Sequence, residues 1–143
     1  MTTVSCVIPV QCAAQDVWSV LADFGQFLDW ATGGLGTVEL QGQGVGMIRH
    51  LDIPGLGKIS ERLDALDPEA LALTYSLTAA GAGGMASYQA RVQVEAITNG
   101  SCSLNWKGEF EVLPEINEAT VSAELEAAYQ SMSSGLESYV RAQ

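Results

Sequence analysis

"CSLNWKGEFEVLPEINEATVSAELEAAYQSMSSGLESYV", residues 102 to 140, changes its period once, and that change decides the fold. Up to Val112 the chain alternates. Cys102, Leu104, Trp106, Gly108, Phe110 and Val112 fall on one face, against Ser103, Asn105, Lys107, Glu109 and Glu111 on the other. Alternation at period two is a strand with one wet face. Pro114 ends it, and Asn117 is a good N-cap for a helix beginning at Glu118. From Glu118 to Tyr139, Val121, Leu125, Ala128, Met132, Leu136 and Tyr139 recur as one stripe of a long helix. A helix with one apolar stripe must lie on an apolar sheet face.

The preceding segments supply that sheet. Tyr88, Ala90, Val92, Val94 and Ala96 share a face, as do Leu71, Leu73, Tyr75 and Leu77. Ile59, Glu61, Leu63 and Ala65 form another, and Val45, Met47, Arg49 and Leu51 another. TVELQ, residues 37 to 41, is a short strand before a glycine-rich turn. At the start, Val4, Cys6 and Ile8 alternate in a strand closed by Pro9. Val17, Leu21 and Phe24 then mark a helix, and FGQFLDW a short second one. The order is strand, two short helices, about six strands and a long helix: an α+β chain whose curved antiparallel sheet grips its last helix.

The register can be argued further. If the turn after Ile53 centres on Gly55, Leu51 faces Ile59, Met47 faces Leu63, and Arg49 falls opposite Glu61. A turn centred on Pro68 would set Glu61 against Tyr75, with Tyr88 starting the next strand nearby. A polar row, Arg49–Glu61–Tyr75–Tyr88, then crosses an apolar surface. In the last hairpin, a three-residue loop Thr98-Asn99-Gly100 with a left-handed Gly100 sets Ala90 against Gly108. Side-chain volume is missing there, which predicts an open pocket where a core would be filled. A dry buried ion pair adds little stability, so Arg49 and Glu61 are expected to border that pocket.

The totals exclude several functions. The chain has 143 residues, enough for one domain, residues 1–143. Acidic residues outnumber basic ones 17 to 6, for a net charge of −11; such a field repels nucleic-acid backbones and anionic membranes. No apolar run approaches the ~20 residues of a membrane span, and the start carries no basic signal region, so a cytoplasmic protein is expected. Three cysteines, Cys6, Cys12 and Cys102, read as buried small hydrophobes. One histidine, His50, and no paired cysteines give no metal-ligand spacing. No phosphate-cradling glycine motif occurs, and no cofactor is expected.

"DVWSVLADFGQFLDW", "GMIRHLDI", "ERLDALD", "SYQARVQV", "NWKGEF" and "GLESYV" resemble the START-like, helix-grip superfamily. The likeness is greatest to its bacterial polyketide cyclase/dehydratase-like branch, and it extends to the plant abscisic-acid receptors and the birch-pollen-allergen group. It spans Val4 to about Val140. It implies a seven-stranded antiparallel sheet wrapped round the terminal helix, with an internal cavity for an apolar small molecule. The receptors' gate loop corresponds to Ile53 to Gly57, and their latch to Gly81 to Met85. The receptors' His-Arg-Leu latch is replaced by Gly83-Gly84-Met85, and no lysine stands in Thr32 to Leu35, so a hormone receptor is not expected.

Two functions remain, beside a weaker third, an interaction module whose gate loop changes shape with ligand, for which Gly55, Gly57, Gly81, Gly83 and Gly84 give the freedom. One is a binder or carrier of a lipid-like, isoprenoid or polyketide-like molecule. Arg49, Glu61, Tyr75 and Tyr88 would orient its polar end. Phe27, Trp30, Met47, Leu56, Met85, Trp106, Phe110, Leu125, Tyr129 and Met132, grouped about Ala90 and Gly108, would line its apolar body. The other is a cyclase or dehydratase with Glu61 as general base and Arg49 or Tyr88 stabilising an enolate.

Overall fold

A computed structural model describes residues 1–143. The terminal helix, α3, spans Glu118–Arg141. Asn117 caps it, its side chain accepting from the Thr120 backbone N–H at 3.1 Å. The buried stripe of α3 is Val121, Leu125, Tyr129, Ser133 and Leu136, while Ala128, Met132 and Tyr139 are only half-buried. The stripe turns further than its aliphatic residues suggest because Tyr129 and Ser133 find hydrogen-bond partners inside. Ser133 accepts from Trp106 Nε1 at 2.9 Å.

Seven antiparallel strands form one sheet in the order β1-β7-β6-β5-β4-β3-β2. They are β1 (Thr2–Val10), β2 (Thr37–Gln41), β3 (Ile48–Ile53), β4 (Gly57–Asp67), β5 (Ala72–Leu77), β6 (Met85–Thr98) and β7 (Ser101–Val112). Helix α1 (Ala14–Leu21), a 3-10 turn (Phe24–Gln26) and α2 (Phe27–Ala31) come after β1. Val17, Leu21 and Phe24 are buried, as their spacing predicts. Gly135 allows α3 to approach α2, since a Cβ there would overlap the Trp30 carbonyl oxygen. This is the helix-grip architecture.

Several local expectations need correction. β1 continues through Pro9, which pairs with Ser103; an edge strand tolerates a missing donor. β3 begins only at Ile48, and Val45 is exposed. The hairpin at 98–101 is a two-residue turn, because Thr98 pairs with Ser101. Gly100 is not left-handed, and an irregularity between Ala96 and Thr98 restores the faces instead.

Arg49 does face Glu61, and Leu51 faces Ile59. Glu61, however, pairs with Leu77, and Tyr75 pairs with Leu63. The cause is a hairpin loop running from Pro68 to Leu71, longer than a turn centred on Pro68, and a bulge between Leu63 and Ala65 takes back one residue of the shift. Asp64 sits at the bulge, with Oδ1 accepting from Arg62 Nε at 2.8 Å and Oδ2 from Gln89 Nε2 at 3.2 Å.

Candidate functional site

Arg49 projects from β3 into the interior and is 5% exposed. Its Nε donates to Glu61 Oε1 at 2.9 Å, and its Nη2 lies 2.8 Å from the same oxygen. Its Nη1 donates to the Phe24 carbonyl at 3.1 Å. The guanidinium carbon stands 3.9 Å from the Phe24 ring centre, 4.3 Å from that of Phe27 and 5.3 Å from that of Tyr75. Aromatic faces and a carbonyl thus replace the water this cation loses. Glu61 gains less. Both donors converge on Oε1, whereas a fork-to-fork pair would use both oxygens. Oε2 accepts from no protein group and retains accessible surface.

Beyond the pair runs a line of hydroxyls. Tyr75 and Tyr88 oxygens are 3.3 Å apart, and those of Tyr88 and Tyr129 2.7 Å. The expected polar row is therefore two segments, Arg49–Glu61 and Tyr75–Tyr88, with no hydrogen bond between Glu61 and Tyr75. The second segment extends onto α3 through Tyr129, which stacks on Trp106 with ring centres 4.8 Å apart and planes 10° from parallel.

Tyr129 overturns the expected opening at Ala90 and Gly108. The two do face each other, but a Cβ on Gly108 would overlap the Tyr129 hydroxyl, with Tyr88 Cε1 at 3.2 Å. The small pair makes room for a large ring from α3. The interior behind Arg49, between Phe24, Phe27, Trp30, Tyr75 and Trp106, keeps a void of only about 10 Å³. That is at the limit for one water.

The remaining apolar space lies nearer the surface. A cleft of about 200 Å³ opens between the β3–β4 turn, residues 82–85 and α3. Phe27, Leu56, Glu61, Tyr75, Met85, Tyr88, Leu125, Tyr129 and Met132 line it, as does Ile59. Glu61 is its sole charged residue. A wider depression of about 590 Å³ lies on the outer face, among Thr37, Glu39, His50, Asp52, Lys58 and Ser60. It is open and polar, and His50 is tied there to Ser60 Oγ at 2.7 Å and Gln41 Oε1 at 3.0 Å.

A family described as polyketide cyclase/dehydrase and lipid transport matches residues 1–141. The chain belongs to that family. Among solved structures, XoxI from Bacillus cereus is similar at 21% identity and a TM-score of 0.83, over 96% of this chain and 94% of that one. Norcoclaurine synthase from Thalictrum flavum, in complex with dopamine and hydroxybenzaldehyde, is similar at 23% identity and 0.72, over 93% and 84%. A protein from Thermobifida fusca is similar at 22% and 0.74, over 99% and 95%. These likenesses establish the fold. No curated protein sequence matches the chain.

In this member of the polyketide cyclase/dehydrase and lipid transport family, several of the residues expected at the site lie off the cleft. Arg49 stands behind Glu61; it, Trp30 and Trp106 border the small inner void. Ala90 and Phe110 are wholly buried core, Gly108 sits beneath Tyr129, and Met47 packs at the core's edge. The sequence reading missed Ile59, Leu77, Ala82, Gly83 and Ala128, all of which line the cleft. Ile59 and Leu77 share the inner face with Glu61 and Tyr75, and that signal was available. Burial, reinforced by the Glu61 charge, drives the Tyr75 hydroxyl far above its usual range. Burial, then the neighbouring tyrosines, does the same to Tyr88. Burial also pushes Tyr129 up to about 12. All three stay neutral donors or acceptors at ordinary pH. No three His, Cys, Asp or Glu side chains gather as a metal site, and no helix is long and apolar enough to cross a membrane.

Proposed function

We propose that this protein binds a small apolar molecule in the cleft between the β3–β4 turn, residues 82–85 and α3. One observation carries the reading: an apolar cleft whose single charged group offers an oxygen with no partner in the protein. Small-molecule sites have that composition, mostly apolar walls with a few placed polar groups. Glu61 holds the ligand's polar end, Arg49 fixes Glu61 from behind, and Leu56, Met85, Leu125 and Met132 cover the apolar body. The cleft is smaller than the ~300 Å³ at which drug-sized sites begin, so the ligand is small or protrudes between the two loops. The norcoclaurine synthase complex holds two small aromatic molecules, which supports that size class.

The test is displacement of Nile red from the purified protein, together with native mass spectrometry of protein from its source. Wild type should bind the dye, and Ala128→Phe, which fills the cleft from a half-buried wall position, should bind it at least about tenfold more weakly at unchanged stability. Equal binding by the two proteins refutes this location.

A second reading, a cyclase or dehydratase, draws on the same free oxygen: Glu61 and Tyr88 line one space, as a general base and a donor to a developing enolate would. Glu61→Gln then abolishes turnover of a polyketide-like substrate while folding persists. If turnover survives, Glu61 is not the base.

A further inference from the structure

We infer that the ligand's polar end is a hydrogen-bond donor without negative charge, best a protonated amine, and that carboxylates and phosphates are excluded. This rests on the cleft being the binding site and names the chemistry it selects.

The argument is an accounting of donors and acceptors. Arg49 spends Nε and Nη2 on Glu61 Oε1, and Nη1 on the Phe24 carbonyl. Its flat face is covered by Phe24 and Phe27. It lines the small inner void and not the cleft, so it presents no charge to a ligand there. No lysine, histidine or other arginine lines the cleft. The remaining cations lie elsewhere: Arg62 on Asp64, Lys107 near Glu109, Arg141 on the Gln11 carbonyl, Arg91 on Gln93, and Lys58 on the outer face.

The hydroxyls of Tyr75, Tyr88 and Tyr129 spend two of their three protons on one another, which leaves a single O–H, neutral and without charge to hold an anion. The one charged atom left open is a carboxylate oxygen, Glu61 Oε2, which accepts and cannot donate while ionised. A ligand that covers it without donating leaves it unmatched among apolar walls, which is costly, and a ligand that donates to it avoids that cost. A charged donor does so about twice as well as a neutral one. An anion meets like charge with no cation to receive it, and the protein's net charge of −11 adds to the penalty.

The experiment compares octylamine, octan-1-ol and octanoate by calorimetric titration of the wild-type protein and of Glu61→Gln. In wild type the affinity order is amine, then alcohol, then octanoate, with octanoate at least about tenfold weaker than the alcohol. In Glu61→Gln the amide can turn its NH₂ to the cleft and Arg49 loses its counter-charge, so octanoate gains at least about tenfold on octylamine. Octanoate binding wild type as tightly as octan-1-ol overturns the inference but leaves the cleft as a ligand site. So does an affinity order unchanged in Glu61→Gln. Failure of all three probes and of Nile red to bind wild type removes both readings. The wild-type order needs no variant, so a poorly folded Glu61→Gln does not spare the inference.

Discussion

Gly108→Ala asks directly whether the middle of the sheet is hollow. Gly108 sits in β7 between Val4 of β1 and Ala90 of β6, with ordinary strand backbone. Over a hollow, alanine would be harmless there and would gain about 0.5–1 kcal/mol of chain entropy. The structure places the Tyr129 hydroxyl where the new methyl must go, with Tyr129 Cζ at 3.3 Å. The ring has no slack, being stacked on Trp106 and bonded to Tyr88 at 2.7 Å. Over-packing costs about 1–3 kcal/mol, and displacing a buried hydroxyl from its partner about 1–3 more. A loss of about 2–6 kcal/mol is a large part of the ~5–15 kcal/mol that holds a domain folded. Urea unfolding followed by tryptophan fluorescence reads it. Tyr129→Phe removes the overlapping oxygen, so the double variant Gly108→Ala/Tyr129→Phe should recover at least about 1 kcal/mol over the sum of the singles. A Gly108→Ala protein within about 0.5 kcal/mol of wild type, or a double variant with no recovery, refutes the filled interior.

The same contacts set three further outcomes. Arg49→Met leaves Glu61 as an unpaired buried charge and should cost about 3–5 kcal/mol in urea unfolding, most of it regained in Arg49→Met/Glu61→Leu. Tyr129 is neutral in both folded and unfolded chains below about pH 10, where the unfolded hydroxyl begins to ionise. Its folded value of about 12 means stability falls as pH rises from about 10 to 12, by about 3 kcal/mol, a slope that urea midpoints in Tyr129→Phe should lack in that measure. Leu56→Ala, at an exposed turn tip, should leave stability within about 0.5 kcal/mol yet weaken Nile red binding severalfold; unchanged binding would take the turn out of the site.

The fold was legible because period is a local property. Alternation in β6 and β7 and the stripe of α3 name their own faces, and the Gly55 turn set Arg49 against Glu61 correctly. What failed was non-local or one residue long. The hairpin loop at 68–71 displaced Tyr75 from Glu61, and the bulge at Asp64 took back one residue of that shift; nothing in "ERLDALD" marks the bulge except a polar residue whose partners, Arg62 and Gln89, are known only in three dimensions. The Ala90–Gly108 gap was read correctly as missing volume and wrongly as empty. The strand sequence cannot report that a tyrosine from a helix 21 residues later reaches across to fill it. The cleft was half legible, since Leu56, Met85, Leu125 and Met132 were expected among the lining residues and line it, while Met47 and Phe110, expected in the same set, do not.

Arg49 and Glu61 look equivalent in the sequence, one charge on each of two facing strands, but their surroundings divide them. Arg49 is met from within along its fork and across its face: by Glu61 on β4, by the Phe24 carbonyl in the 3-10 turn, and by the rings of Phe24 and Phe27. It therefore fastens the short helices to the sheet, a task that suits a planar fork and not a point charge. Glu61 is met on one oxygen alone, and the residue lines the cleft. An ion pair formed for stability would share both oxygens, because desolvating a half-satisfied carboxylate costs several kcal/mol. The asymmetry is intelligible if the arginine's part is to hold the carboxylate in place, and the carboxylate's part is to be completed by something that is not the protein.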